Sequence, residues 1–176
     1  MPTLLGISGA LRAGSTNTML IRNAAAAFDA ATFIEADLRL PLYDGDLETN
    51  EGIPAAVQTL SDQIKSADAV IIATPEYNKG IPGVLKNALD WVSRTEGAPW
   101  AGKPVAIMSA AAGRAGGERA QTNLVSALVP FRPNLILGPE VLVGASHQSF
   151  DAAGALTNEI NHKALTELMT RLKAAI

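Results

Sequence analysis

Residues 8–17, Ser-Gly-Ala-Leu-Arg-Ala-Gly-Ser-Thr-Asn, set short polar side chains and one guanidinium around two glycines. A β-type run over 3–7 enters this stretch and a helical pattern leaves it. Hydroxyls, free backbone N–H groups and the positive end of a helix then converge on one point, which suits a phosphate. Arg12 adds a bidentate, charge-assisted partner, and Ser8, Ser15, Asn17 and Thr18 add donors without bulk. Two better-known phosphate loops do not fit. Gly9 to Thr16 nearly matches G-x-x-x-x-G-K-[ST], but Ser15 stands where the lysine belongs, and no G-x-G-x-x-G occurs. The plainer alternative is a solvated strand-to-helix turn in which Ser15 or Asn17 only caps the helix.

A second stretch, Thr-Pro-Glu-Tyr-Asn-Lys-Gly-Ile-Pro-Gly at 74–83, sets two prolines and two glycines around an aromatic residue. Such backbone is held extended and close to whatever binds it, so its amides can read the heteroatom edge of a flat ring while Tyr77 flanks that ring. A rigid loop with an exposed tyrosine explains the same residues. Glu76 need not be a general acid, since exposed glutamates are commonly solvated or cap a neighbouring group. A third stretch, residues 109–117, is small and glycine-rich, which admits a ring or simply makes a flexible connector.

The elements that must position these loops alternate along the chain. Strands are expected over 3–7, 32–36, 69–73, 104–109 and 134–136, and helices over 17–27, 54–67, 84–93, 117–128 and 155–175. The unbroken Ala-Val-Ile-Ile-Ala run is what a doubly buried central strand looks like, so the class is doubly wound α/β with a parallel sheet. In such sheets ligands sit at the carboxyl ends of the strands, where the three loops lie. Residues 43–52 are polar and acidic and are read as a surface connection.

A chain of 176 residues, 48% hydrophobic, has the size of one domain spanning 1–176. Its net charge of −3 with scattered Lys and Arg offers no basic stripe for nucleic acid or anionic lipid. No apolar run approaches the roughly 20 residues that span a bilayer. The first residues lack a basic segment followed by a long apolar core, so the expected compartment is the cytoplasm. The absence of cysteine removes disulfide, thiolate and zinc-thiolate chemistry, and no metal site is expected. Expected partners are small molecules and copies of the chain itself.

Three groups of residues resemble a known family: Gly6-Ile7-Ser8-Gly9-x-x-Arg12-x-Gly14-Ser15-x-Asn17, Pro75-Glu76-Tyr77-Asn78, and the run from Ile81 to Trp91. They look like the NADPH-dependent FMN reductases, which include bacterial NAD(P)H quinone, chromate and azo-dye reductases. The likeness runs from about Thr3 to the final helix. It implies a flavodoxin-like, five-stranded fold of order 2-1-3-4-5, non-covalent FMN, NAD(P)H as co-substrate and a homodimer or homotetramer. Ser8, Arg12, Ser15, Asn17 and Thr18 would hold the FMN phosphate, and Pro75, Glu76, Tyr77 and Asn78 would line the isoalloxazine ring. Ser109, Ala110 and Gly113 match a third flavin-contacting stretch less closely, because members often carry proline near Ala112. Lys79-Gly80 stands where many members have glycine and a small polar residue, which places a cation at the site mouth.

The resemblance implies ping-pong chemistry on the cofactor, with no catalytic side chain required. Quinones are the expected acceptors, and free flavin, azo dyes, ferric complexes and chromate also fit an open ring face. Lys86 and Asp90 lie four apart on a helix as a structural ion pair, and His147 and His162 have no catalytic or ligand spacing. Rival readings are a flavodoxin-like electron carrier and a non-enzymatic FMN-binding module. A serine hydrolase on Ser8 fails because the chain lacks G-x-S-x-G.

Overall fold

The structure, a computed structural model, describes residues 2–176. Hydrophobic alternation builds its sheet. In β1 (Thr3–Ser8) Leu4 faces one side and Leu5 the other, both fully buried, and Ile71 and Ile72 repeat this in β3 (Ala69–Thr74). Full burial of each such side chain stabilises by roughly 1.5–3 kcal/mol, so both faces demand a cover. The first face is covered by α1 (Thr16–Phe28) and α6 (Glu159–Lys173). The second is covered by α3 (Ala55–Ser66), α4 (Gly83–Val92) and α5 (Glu118–Leu128).

The remaining strands are β2 (Thr32–Glu35), β4 (Pro104–Ala110), β5 (Asn134–Ile136) and β6 (Leu142–Val143). All pairings are parallel, in the order β2-β1-β3-β4-β5, with β6 also paired to β4. This is the flavodoxin-like order expected from the sequence. The chain leaves β1 toward β2 and returns to the other side of β1 as β3, so the topological switch lies between β1 and β3. The first two loops meet there. No helix is long and apolar enough to cross a membrane among the described residues.

Three expectations are corrected. Residues 43–52 are not a plain connection but hold α2 (Gly45–Glu51), whose N-terminus is capped by Asp44 Oδ1 accepting from Asp46 N–H at 2.9 Å. Asp46 and Glu48 in its first turn suit the helix dipole. It buries no residue, so no apolar period announces it. The last helix starts at Glu159, not near 155, because Asn158 caps it and Leu156 is held in a bridge to Phe150. Strand β6 was not anticipated, since two residues carry no period.

Candidate active site

The first loop begins with a close approach. Gly9 donates its N–H to the Ala73 carbonyl at 2.8 Å, and a Cβ on Gly9 would lie 3.1 Å from both Pro75 Cδ and Pro82 Cγ. Any side chain at Gly9 would press on the two proline rings, so glycine lets the first loop rest against the second without displacing them. Past this point, among the described residues, the N–H groups of Leu11, Arg12, Ala13, Gly14 and Thr16 have no acceptor in the protein. Ser15 caps α1 by accepting from Asn17 N–H at 3.2 Å and Thr18 N–H at 3.4 Å. Thr18 Oγ1 donates to Ser8 Oγ at 2.9 Å. Arg12 is exposed, makes no ion pair among the described residues, and lies close to the loop crown, its Nη1 3.6 Å from where a Gly14 Cβ would be. Unpaired amides, a helix N-terminus and a free guanidinium form an anion cradle.

The second loop is a hairpin tied to a distant helix. Tyr77 and Gly80 exchange N–H···O bonds of 3.0 Å each, and Asn78 (φ 50°) and Lys79 (φ 67°) between them are both left-handed, the signature of a type I′ turn. Glu76 Oε2 accepts from Arg119 N–H at 3.1 Å and Ala120 N–H at 3.3 Å. Gly117, the residue before α5, offers the helix no side-chain cap, so Glu76 supplies one from another loop. Asn123 Oδ1 then accepts from Ile81 N–H at 3.2 Å, a second tie between hairpin and helix. Pro75 is buried, while Tyr77 is 54% exposed and Asn78 is exposed, so a flat molecule can reach this edge.

The third loop is pressed against the β6 end. A Cβ on Gly116 would come 2.6 Å from the Leu142 carbonyl carbon, and its φ of 65° also favours glycine. Ser109 is fully buried, donates to the Gly116 carbonyl at 2.6 Å and accepts from Gln121 Nε2 at 2.9 Å. Ala110 is buried, with its N–H and C=O both taken by Asn17 at 3.0 and 2.9 Å. Gly113 is exposed at the tip.

The sequence-derived residues therefore divide. Arg12 and the amides around it, Tyr77, Asn78 and Gly113 stand open at the carboxyl edge of the sheet. The sequence assigned Asn17 to the phosphate and Ser109 to the ring. In the structure the Asn17 amide grips Ala110, and the Ser109 hydroxyl is held between Gly116 and Gln121, because both side chains are buried where unpaired polar atoms are costly. Glu76 is a cap, and Ser15 is a cap as well. Gln121, Asn123 and Arg39 support the loops without having been singled out in the sequence. The loop groups they hold are 12 or more residues away, so no local spacing marks them. A cleft of 320 Å³ flanks the first loop, bordered by Ser8, Arg12 and Thr18 on one side and by Glu35, Asp37 and Arg39 on the other.

The family model for NADPH-dependent FMN reductases matches residues 2–148. The chain belongs to that family. It is thus an NAD(P)H-dependent flavin oxidoreductase with FMN as its cofactor. An NAD(P)H-dependent FMN reductase of Pseudomonas aeruginosa is 44% identical over 158 residues, covering 89% of this chain and 85% of its own. A quinone reductase of Escherichia coli is 42% identical over 146 residues, covering 81% and 78%. FerB of Paracoccus denitrificans, a flavoenzyme NAD(P)H:(acceptor) oxidoreductase, superposes with a TM-score of 0.87 at 31% identity over 99% of this chain and 96% of its own. The reductase fold suits FMN on its own donors: the free amides at 11–14 and 16 and the unpaired Arg12 match a phosphate, and the extended second loop matches a planar ring.

Proposed function

We propose that the protein is an FMN-dependent NAD(P)H:quinone oxidoreductase working in two half-reactions at one open ring face. The carrying observation is the cradle of unpaired N–H groups over 11–14 beside Arg12, set at the β1/β3 switch next to an exposed, rigid hairpin. Arg12 and those amides hold the phosphate, where each charge-assisted bond contributes more than a neutral one. Bound FMN supplies a two-electron relay through its N5 position. The residues of this chain position that ring and leave one face open.

Pro75 holds the second loop against Gly9, and Glu76 and Asn123 hold it to α5, so the ring edge meets backbone that needs no reordering. Tyr77 flanks the ring. One accessible face obliges the oxidised nicotinamide to leave before an acceptor enters, which is the basis of a ping-pong order. An open face also discriminates weakly, so quinones are joined as acceptors by free flavin, azo dyes, ferric complexes and chromate.

We also infer a homodimer or homotetramer. Leu42 is 80% exposed yet rigidly presented. The Pro41 carbonyl before it accepts from Trp91 Nε1 at 2.8 Å and Asn87 Nδ2 at 2.9 Å, and the Tyr43 N–H after it donates to Asn87 Oδ1 at 2.8 Å. Light scattering on a sizing column checks the assembly.

The function is tested by an anaerobic visible spectrum of the protein with FMN, before and after stoichiometric NADPH and then excess benzoquinone. Bleaching of the flavin band and its return are expected. Tight FMN binding with no bleaching by NADPH or NADH would move the assignment to an electron carrier or binding module.

A further inference from the structure

Arg39 lies outside every motif singled out in the sequence, yet it reaches 28 residues back to the anion cradle. Its Nη2 donates to the Leu11 carbonyl at 3.0 Å. Its Nη1 donates to Asp37 Oδ1 at 3.1 Å, and Asp37 Oδ1 also accepts the Arg39 backbone N–H at 3.0 Å. The segment carrying it is itself anchored: Ala36 N–H donates to the Gly6 carbonyl at 2.9 Å, and Leu38 is buried. A long, exposed arginine is thus aimed by its neighbours at one backbone oxygen.

That oxygen matters because of peptide geometry. The only cis peptide among the described residues is Gly138–Pro139, so the Leu11–Arg12 bond is trans. Across a trans peptide the C=O and the following N–H point in opposite directions. Drawing the Leu11 carbonyl toward Arg39 therefore turns the Arg12 N–H to the other side of the loop. There it has no acceptor, while Ser15 N–H holds the next carbonyl, that of Arg12, at 3.1 Å. Both ends of residue 12 are oriented before any ligand arrives.

We propose that Arg39, aimed by Asp37, is a positioning residue for the FMN phosphate: it sets the direction of the Arg12 N–H by holding the Leu11 carbonyl, and so preorganises the cradle. This rests on the flavin assignment above. Arg39 commits one N–H of each Nη within the protein, to Asp37 and to the Leu11 carbonyl, so its role is placed in holding the loop.

The test compares FMN with riboflavin, which lacks the phosphate, by fluorescence-quenching titration of the parent, Arg39→Ala, Asp37→Ala and Arg22→Ala. Arg22 borders the same cleft and pairs with Glu35 at 2.7 Å, so its removal deletes the same charge without touching Leu11. Arg39→Ala and Asp37→Ala are each expected to weaken FMN about fivefold while riboflavin stays within about twofold, the scale of one lost hydrogen bond. The Asp37 variant is decisive in sign. Removing a negative charge near an anion tightens binding by Coulomb attraction alone, whereas loss of positioning weakens it. Tighter FMN binding in Asp37→Ala, an Arg22→Ala loss equal to that of Arg39→Ala, or an equal fall for FMN and riboflavin would each overturn the proposal. A parent that bound neither flavin would overturn the flavin assignment and this inference with it. A parent that prefers FMN, with variants that keep that preference, overturns the inference alone.

Discussion

Asn17 grips Ala110 with both ends of its side-chain amide, Nδ2 donating to the carbonyl at 2.9 Å and Oδ1 accepting the N–H at 3.0 Å. The first turn of α1 is thereby locked to the end of β4. Asn17→Ala leaves two buried backbone groups of Ala110 unpaired, at about 1–3 kcal/mol each, so urea unfolding should show a loss of about 2–6 kcal/mol. An unchanged midpoint would mean that the bracket carries no stability.

Arg12 should behave in the opposite way. It is exposed and unpaired, so Arg12→Ala is expected to leave unfolding nearly unchanged while weakening FMN by about 1.5–3 kcal/mol, the range for a bond to a charged group. Riboflavin affinity should not move. Equal FMN affinity in parent and variant would remove Arg12 from the phosphate site.

Glu76 links the hairpin to α5. Glu76→Ala removes that helix's cap and should cost about 1 kcal/mol of stability. Because the same carboxylate holds the ring-side loop, riboflavin affinity should fall as well, and Glu76→Gln, which keeps an acceptor oxygen, should recover most of both. Titrations of the two variants separate these cases, since a cap that acted on the helix alone would leave riboflavin binding intact.

Lys79 occupies a left-handed position where glycine is preferred. Lys79→Gly should raise stability by about 1 kcal/mol, the cost of a side chain in that conformation. If the cation draws in the anionic nicotinamide cofactor, the same change raises KM for NAD(P)H at low salt, and the difference shrinks as salt screens it. Steady-state rates at two ionic strengths decide the matter.

Glu48 joins α2 to the turn that follows α4. Arg94 Nε donates to both its oxygens at 3.0 Å and Tyr43 OH donates to Oε2 at 3.0 Å, and the Arg94 bond, foremost, holds this carboxyl below its ordinary value of 4.5. A depressed folded-state value stabilises above the unfolded one and is lost as pH falls through the folded one. Glu48→Gln should therefore narrow the gap to parent stability below pH 4.5, with the gap present at neutral pH. The pair sits at the protein surface with the Glu48 side chain only partly covered, so the change is small, and urea midpoints across the acid range will reveal its sign.

How far the sequence reached follows from the distance over which each feature is determined. The all-apolar run at 69–73 required a strand buried on both faces, and β3 is one. Glycines and prolines around 8–17 and 74–83 marked backbone that must turn and approach closely, and Gly9 between Pro75 and Pro82 meets that description. Such features depend on a residue and its immediate neighbours, so they are readable one segment at a time. Helix α2 was not, because it buries nothing, and β6 was not, because its two residues are a strand only through pairing with β4. The side-chain commitments needed the whole fold. Asn17 meets Ala110 across 93 residues, Glu76 meets Arg119 across 43, and Arg39 meets Leu11 across 28. The sequence by itself determined which loops carry polar groups to the carboxyl edge of a parallel sheet. Only the tertiary structure decided which of those groups stay free for a ligand and which satisfy buried backbone, since a donor's vacancy depends on every acceptor that folding brings within reach.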